Sequence, residues 1–266
     1  MVLSVLLRAW RAGIVACGVA WFGSTDSRAE TPVLSASIEL TARSAEPFGI
    51  AAASLTAGGL RDKWLGVLHR LDDEMVQLAL CEGDRERCVS PAALKFLDIV
   101  DAAKLREGRA RLGEINRAIN LSIRPVSDLV QHGRIDAWTS PLTTLATGSG
   151  DCEDYAIAKF VALRRAGIAP EDIRIVVLHD TIRGDNHAVA AARLDGRWLM
   201  LDNRRMAMVE DASVRNYQPT FVIDERGVMR YADTPLLADA SRRITAPVTM
   251  GTLAGFGSVA FATPGL

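Results

Sequence analysis

Residues 150–159 read GDCEDYAIAK, at the point where a glycine-containing loop gives way to a predicted helix. That helix is expected over residues 151–166 and ends at Gly167, a residue type that commonly terminates helices. A cysteine in the first turn of a helix meets exposed backbone N–H groups and the positive end of the helix dipole, and both favour the thiolate. The stretch therefore marks Cys152 as a candidate nucleophile.

A thiol nucleophile also needs a base and a third group that orients the base. His187 opens a predicted strand in NHAV, and Asp202 closes another predicted strand in LMLDN. Neighbouring strands of one hairpin would bring His187 beside Asp202, with the helix of Cys152 packed across them. The order of residues therefore predicts a catalytic triad of Cys152, His187 and Asp202.

Each member of this triad also has a purely structural interpretation, since a single cysteine is often a small buried hydrophobe. A single histidine is often a satisfied polar residue, and Asp-Asn often forms a turn. Of the other histidines, His179 is the rival base, because it lies beside Asp180 at a predicted strand end. We interpret His69, in an amphipathic helix, and His132, in a loop, as structural.

The pattern around the cysteine predicts an α+β fold, with helices first and an antiparallel meander after them. Apolar residues spaced three and four apart indicate a helix over residues 59–80, and Ser90-Pro91 indicates the start of more helix with a break near Gly108. Residues 120–150 are rich in glycine and proline and are expected to form an ordered loop. The predicted strands are Ile173–Leu178, Ala188–Leu194, Trp198–Leu201, Phe221–Ile223 and Val228–Tyr231.

Three carboxylates crowd the candidate nucleophile: Asp151 and Glu153 flank it, and Asp154 follows. Acidic residues are favoured at a helix N-terminus as caps. Their charge nevertheless opposes thiolate formation, which a bound hard cation would offset. We therefore expect a calcium site at Asp151 and Glu153, with Asp154 as a third candidate ligand, while helix capping stays open as the alternative.

Residues 1–29 resemble a secretory signal peptide, with Arg8 and Arg11 ahead of an uncharged apolar stretch and small residues before Glu30. A retained membrane anchor and a lipoprotein signal at Cys17 are the alternatives. We expect a linker over residues 30–57, a single domain over 58–239 and a tail over 240–266. Export would place the domain in the periplasm.

Export also bears on the cysteines, because disulfides form in oxidising compartments. Cys81 and Cys88 flank a polar loop in CEGDRERC, so a short disulfide between them is one interpretation and two free thiols are the other.

The composition excludes two broad classes of function. Lys and Arg total 31 against 32 Asp and Glu, so the chain is not a strongly basic nucleic-acid-binding protein. After the N-terminus no apolar run reaches the roughly 18 residues of a membrane span, which excludes a multi-span membrane protein.

The motifs GDCEDYAIAK, NHAV and LDN, in this order and spacing, closely resemble the bacterial transglutaminase-like cysteine proteinase family. The segment from Asp136 to Gly150 is similar to that family's Asp-x-Trp-x-x-Pro approach to the nucleophile, and CEGDRERC is similar to a cysteine pair of exported members. The resemblance implies a papain-like, transglutaminase-like core in which Cys152 is the nucleophile, His187 the general base and acid, and Asp202 its orienter. Hydrolysis would then proceed through a thioester.

In the family's best understood branch, periplasmic members that use calcium cleave a large surface adhesin and are sequestered by an inner-membrane receptor. The resemblance thus implies a protein substrate of the envelope or surface and a regulatory receptor. The residues after His187 are Ala-Val-Ala-Ala-Ala, where that branch tends to show Met-Val-Leu, which weakens the assignment of an adhesin substrate. Amide transfer or deamidation by the same triad, and a non-catalytic binding module, are the alternatives.

The oxyanion of the reaction would be stabilised by backbone N–H groups at the helix start. The indole N–H of Trp138 is a second candidate donor, and its alternative role is to anchor the loop.

Overall fold

A computed structural model describes residues 45–232 of the chain. The predicted signal peptide over 1–29 and the tail over 240–266 lie outside these described residues. Inside them, helices pack on one face of an antiparallel sheet, which confirms the α+β prediction.

Helices make up most of the first half of the described chain. They are α1 (Gly59–Gly83), α2 (Pro91–Lys104), α3 (Gly108–Ser122), α4 (Asp128–His132), α5 (Pro141–Thr147) and α6 (Cys152–Arg165). The hydroxyl of Ser90 caps α2 by accepting the Ala93 N–H at 3.2 Å, and Gly108 separates α2 from α3 with a φ of 51°. Among the described residues no helix combines the length and apolar character needed to cross a bilayer.

Most strands follow the helices, while the first strand precedes them and the next two lie between them. The strands are β1 (Ala52–Ser54), β2 (Arg124–Pro125), β3 (Ser149–Gly150), β4 (Ile173–Asp180), β5 (Asp185–Leu194), β6 (Arg197–Leu201), β7 (Val209–Glu210), β8 (Tyr217–Asp224) and β9 (Gly227–Tyr231). The main sheet has the order β1-β9-β8-β4-β5-β6-β7, and β2 pairs separately with β3. Asp195 and Gly196 join β5 to β6 with φ values of 50° and 77°, as a two-residue hairpin turn requires.

The sheet differs from the simple meander that the sequence predicts. After β7 the chain returns so that β8 pairs with β4, and β4 becomes a central strand. The physical reason is that β4 is apolar on both faces: Ile175 packs in the core under the helices, whereas Val176 packs in a second cluster on the opposite face. The buried backbone N–H and C=O groups along both edges of such a strand need hydrogen-bond partners, which β5 and β8 supply.

The expected loop over residues 120–150 contains α4, α5 and the β2–β3 pair, so that prediction is wrong. Pro141 begins α5 and Gly148, with a φ of 62°, ends it, so these residues mark the ends of a short helix. The start of α5 is held by the buried Glu74 of α1, whose carboxylate accepts the N–H groups of Leu142 and Thr143 at 3.0 and 3.2 Å. This long-range cap gives no local signal in the sequence.

The segment expected as a linker over 30–57 is integrated into the sheet where it is described. Strand β1 pairs with β9, and the carbonyl of Ala45 accepts the Trp198 indole N–H at 2.9 Å. Glu46 forms a two-pronged ion pair with the buried Arg174 at 2.7 and 2.9 Å. The sheet therefore begins before residue 58. The sequence did not indicate this, because an edge strand of three residues is too short to give a strand pattern.

The loop after α1 is closed by a disulfide between Cys81 and Cys88. Within the described part of the chain, Cys152 is the free cysteine.

Candidate active site

The N-terminus of α6 fixes the position of the thiol. Asp151 is the helix cap, and Asp154 completes a capping box by accepting the Asp151 N–H at 3.3 Å. The other oxygen of Asp154 accepts the backbone N–H and the hydroxyl of Thr139 at 2.8 and 2.7 Å, which ties the preceding loop to the helix. Gly150 is required here, since a Cβ at this position would lie 2.6 Å from an oxygen of Asp154. Cys152 is thus held in the first turn of the helix.

His187 and Asp202 lie at the same end of the β5–β6 hairpin, because the register places Ala190 opposite Leu201. His187 Nε2 lies 2.9 Å from Asp202 Oδ1. Both side chains are withdrawn from water, with exposed fractions of 0% and 1%. The pair is therefore a buried, directly hydrogen-bonded imidazole and carboxylate.

The sulfur of Cys152 lies beside the strand that carries this imidazole, near the backbone N–H of Ala188, the residue after His187. The other ring nitrogen of His187, Nδ1, is buried and has no hydrogen-bond partner within the described part of the chain. Helix α6 and strand β5 therefore bring the nucleophile and base predicted from the sequence to one place, with one imidazole nitrogen still available.

The thiol itself donates to Glu153 Oε2 at 2.8 Å. Burial raises the pKa of Cys152 well above its ordinary value, and the charges of Glu153 and Asp151 add to the shift. The backbone N–H of Ala188 acts in the opposite direction. In this arrangement the protonated thiol is favoured, because burial disfavours the thiolate and the neighbouring Glu153 adds to that effect.

Asp202 accepts three hydrogen bonds at the site. Besides His187 it accepts the Tyr217 hydroxyl at 2.6 Å and the Arg204 N–H at 2.9 Å. Burial alone would raise the pKa of Asp202, but the hydrogen bond and charge of His187, together with these donors, hold it far below its ordinary value. Asp202 is therefore a charged acceptor at neutral pH.

Tyr217 is a site residue that the sequence reasoning missed. Its ring also packs edge-on against His187, with 5.9 Å between ring centroids. Tyr217 lies on β8, which reaches the site only because β8 returns to pair with β4. No local motif marks it.

A cluster of carboxylates surrounds the start of α6. Asp128 of α4, Asp151 and Asp154 have oxygens within 4.8 Å of one another, and Asp151, Cys152 and Glu153 form a second such group. One oxygen each of Asp128 and Asp151 is buried with no hydrogen-bond partner in the described part of the chain. Burial, with the charges of Glu153, Asp128 and Asp154, raises the pKa of Asp151 to about 9.

This donor set fits a hard divalent cation, which prefers carboxylate oxygens and would satisfy the two unpaired ones. Asp154 is less available than Asp151 and Glu153, because both of its oxygens already accept hydrogen bonds. Asp128 was not recognised from the sequence, since it lies in the segment expected to be a loop.

Two other residues singled out from the sequence lie outside the reacting groups. The indole N–H of Trp138 donates to Asp136 at 2.8 Å within its own loop, so the donor is already engaged and the anchoring role fits the structure. His179 lies on β4, half-buried, with Nδ1 at 3.4 Å from the Asn186 side-chain oxygen. Asp202 is paired with His187, not with His179.

The chain was compared with known families, proteins and structures. A family model described as bacterial transglutaminase-like cysteine proteinase matches residues 75–222. No curated protein matches the chain significantly.

Among solved structures, Legionella pneumophila LapG is 19% identical, with 64% of this chain and 93% of that chain covered at a TM-score of 0.50. An EGTA-treated form of LapG is 20% identical, with 60% of this chain and 86% of that chain covered, also at a TM-score of 0.50. A calcium-bound form of LapG is 20% identical, with 57% of this chain and 89% of that chain covered, at a TM-score of 0.47. At these identities the likeness to LapG concerns the fold, and it confirms the predicted architecture.

The family match spans more than half of the chain and includes Cys152, His187 and Asp202. The chain therefore belongs to the bacterial transglutaminase-like cysteine proteinase family and is a cysteine peptidase.

Proposed function

We propose that the protein is an exported cysteine endopeptidase in which Cys152 is the nucleophile, His187 the general base and acid, and Asp202 the residue that orients His187. The observation that carries this proposal is the buried His187–Asp202 pair, which leaves Nδ1 unpartnered on the strand beside which the sulfur of Cys152 lies. This arrangement favours a catalytic role over a non-catalytic binding module.

The reaction follows from these positions. His187 Nδ1 takes the thiol proton as Cys152 attacks the carbonyl carbon of a peptide bond, and Asp202 stabilises the imidazolium that forms. Backbone N–H groups at the start of α6 stabilise the oxyanion. His187 then protonates the leaving amine as the C–N bond breaks, and a thioester remains on Cys152. Water, deprotonated by His187, attacks the thioester, releases the acid and restores the thiol.

The carboxylates beside the thiol oppose the first of these steps, since Glu153 accepts the thiol hydrogen. We propose that Asp151, Glu153 and Asp128 bind calcium. A bound calcium ion would offset their negative charge and thereby favour the thiolate. The expected result is that calcium raises the melting temperature of the metal-free protein and that Asp151→Asn reduces this increase. An identical melting curve with calcium and with chelator would remove the metal proposal and leave the triad standing.

The proposed compartment is the periplasm, and the substrate is a protein of the cell envelope or surface. The signal-like pattern of residues 1–29 supports export. The disulfide between Cys81 and Cys88 supports an oxidising compartment. A large adhesin and a regulatory inner-membrane receptor are the substrate and partner that the family resemblance suggests.

Comparing surface and secreted proteins from cells that carry the wild-type protein or the Cys152→Ala variant tests this proposal. We expect a large polypeptide to be shortened only with the wild-type protein. A substrate that is cross-linked or deamidated and not shortened would instead show acyl transfer, which passes through the same thioester. If the Cys152→Ala variant shortens the same polypeptide as the wild-type protein, the assignment of Cys152 is overturned.

A further inference from the structure

Lys159 is a buried cation that the proposed mechanism does not use. It is fully buried in α6, two turns after Cys152. Its ammonium group donates to the carbonyl of Leu201 at 3.1 Å and lies 5.8 Å from the centroid of the Tyr155 ring. Within the described part of the chain it donates no other hydrogen bond and forms no direct ion pair, although the charge of Asp202 acts on it.

Stability alone does not account for a lysine at this position. An ammonium group carries three donors, and removing it from water is unfavourable unless its charge is paired. Only one donor of Lys159 is engaged. Burial lowers the pKa of Lys159 to about 7, and the negative charge of Asp202 opposes that shift. A methionine of similar length would fill the same space without this cost.

The acceptor of Lys159 is the residue directly before Asp202. Leu201 is the last residue of β6 and the last to pair with β5. Beyond it, the backbone carbonyl of Asp202 is held by the amide of Asn120 from α3, at 3.0 Å. Two helices therefore fix the point where the chain leaves the sheet, and one of them is the helix that carries the nucleophile.

We propose that Lys159 is a positioning residue of the triad: it holds the end of β6 through the Leu201 carbonyl and, when protonated, attracts the Asp202 carboxylate, so that Asp202 keeps His187 directed toward Cys152. This inference rests on the proposed function. Helix α6 would then carry the thiol in its first turn and, two turns later, the lysine that supports Asp202.

The test replaces Lys159 with methionine, which removes the hydrogen bond and the charge, and with glutamine, which keeps an uncharged donor. Lys95 supplies a matched control, because its ammonium group also donates to a backbone carbonyl, that of Ser122 at 3.3 Å, but at an exposed position. We expect Lys159→Met to lower kcat about tenfold to a hundredfold, because small displacements of catalytic groups cost that much. KM and the melting temperature of Lys159→Met should be unchanged. The kcat of Lys159→Gln should lie between those of the wild type and Lys159→Met, and the kcat of Lys95→Met should equal that of the wild type.

A second readout follows the His187–Asp202 hydrogen bond directly. In the Cys152→Ala background, the proton resonance of His187 Nε2–H is expected to move in Lys159→Met and to stay in place in Lys95→Met. Where Lys159→Met fails to fold, Lys159→Gln is held to the same criteria for kcat and for the resonance.

The outcomes separate this inference from the proposed function. Wild-type kcat and an unmoved resonance in the Lys159 variants, with Cys152→Ala inactive, would overturn the positioning role and leave the triad intact. Activity retained by Cys152→Ala would overturn the proposed function itself.

Discussion

Replacing Tyr217 with phenylalanine removes one hydroxyl and leaves the ring that packs against His187. The lost bond is the 2.6 Å donation to Asp202 Oδ2, between two buried groups. The nearest remaining charge to that oxygen is Arg205, at 3.9 Å, beyond hydrogen-bonding distance. A hydrogen bond to a charged group contributes about 1.5–3 kcal/mol, so we expect the free energy of unfolding to fall by about that amount.

Tyr231 provides the control for this substitution. It is also a buried tyrosine, but its hydroxyl has no hydrogen-bond partner within residues 45–232. Tyr231→Phe removes the same atom without breaking a bond, so it should leave the free energy of unfolding unchanged or raise it slightly. The comparison isolates the bond to Asp202 from the loss of a buried hydroxyl.

The effect should depend on pH in a defined direction. The folded pKa of Asp202 is held below its ordinary value of 3.8, so its stabilisation is complete above that pH and is lost as pH falls through the folded pKa. Tyr217→Phe raises the folded pKa toward the ordinary value. The difference in free energy of unfolding between the variant and the wild type should therefore be largest at neutral pH. It should shrink as the pH falls toward the folded pKa of Asp202.

Urea unfolding at pH 7 and at a series of lower pH values measures both quantities. We also expect a lower kcat, since Asp202 would hold His187 less firmly. Equal losses in the two phenylalanine variants, or a deficit for Tyr217→Phe that does not shrink in acid, would refute the assigned hydrogen bond.

Three further predictions concern the start of α6, the disulfide and the metal. Gly150→Ala should lower the free energy of unfolding, measured in urea, by about 1–3 kcal/mol, because the new Cβ would lie 2.6 Å from a capping carboxylate. Gly113→Ala, whose Cβ would have its nearest neighbour at 3.5 Å, should leave the free energy of unfolding unchanged. Replacing Cys81 and Cys88 together by serine should lower the free energy of unfolding by about 2.5 kcal/mol, the value for so short a closed loop, and leave kcat unchanged; an unchanged unfolding curve would contradict this. Asp128→Asn should weaken calcium binding measured by calorimetry, and an unchanged affinity would exclude Asp128 from the site.

The sequence predicted those parts of the site whose signals are local. The loop-to-helix transition places Cys152, and strand patterning places His187 and Asp202 at the ends of two strands of one hairpin. The alternation of apolar residues and a turn at Asp195 are sufficient to bring these strands together. The fold class follows from the same patterns.

The parts that the sequence missed depend on contacts between distant segments. Tyr217 reaches Asp202 only because β8 pairs with β4, and nothing in β8 itself indicates that edge. Asp128 lies near Asp151 because the β2–β3 pair brings the segment before α4 beside the residues before α6. Lys159 is spaced like any buried position of an amphipathic helix, so its contact with Leu201 becomes visible only when the strand end is located.

The measurement that tests the central claim most directly is acid-quenched mass spectrometry of the protein during turnover of a cleavable substrate. We expect an acyl adduct, attached as a thioester to the peptide that contains Cys152, with the mass of the substrate fragment upstream of the cut. The adduct should be absent in Cys152→Ala and should form far more slowly in His187→Ala. Continued cleavage without any adduct on Cys152 would contradict the account.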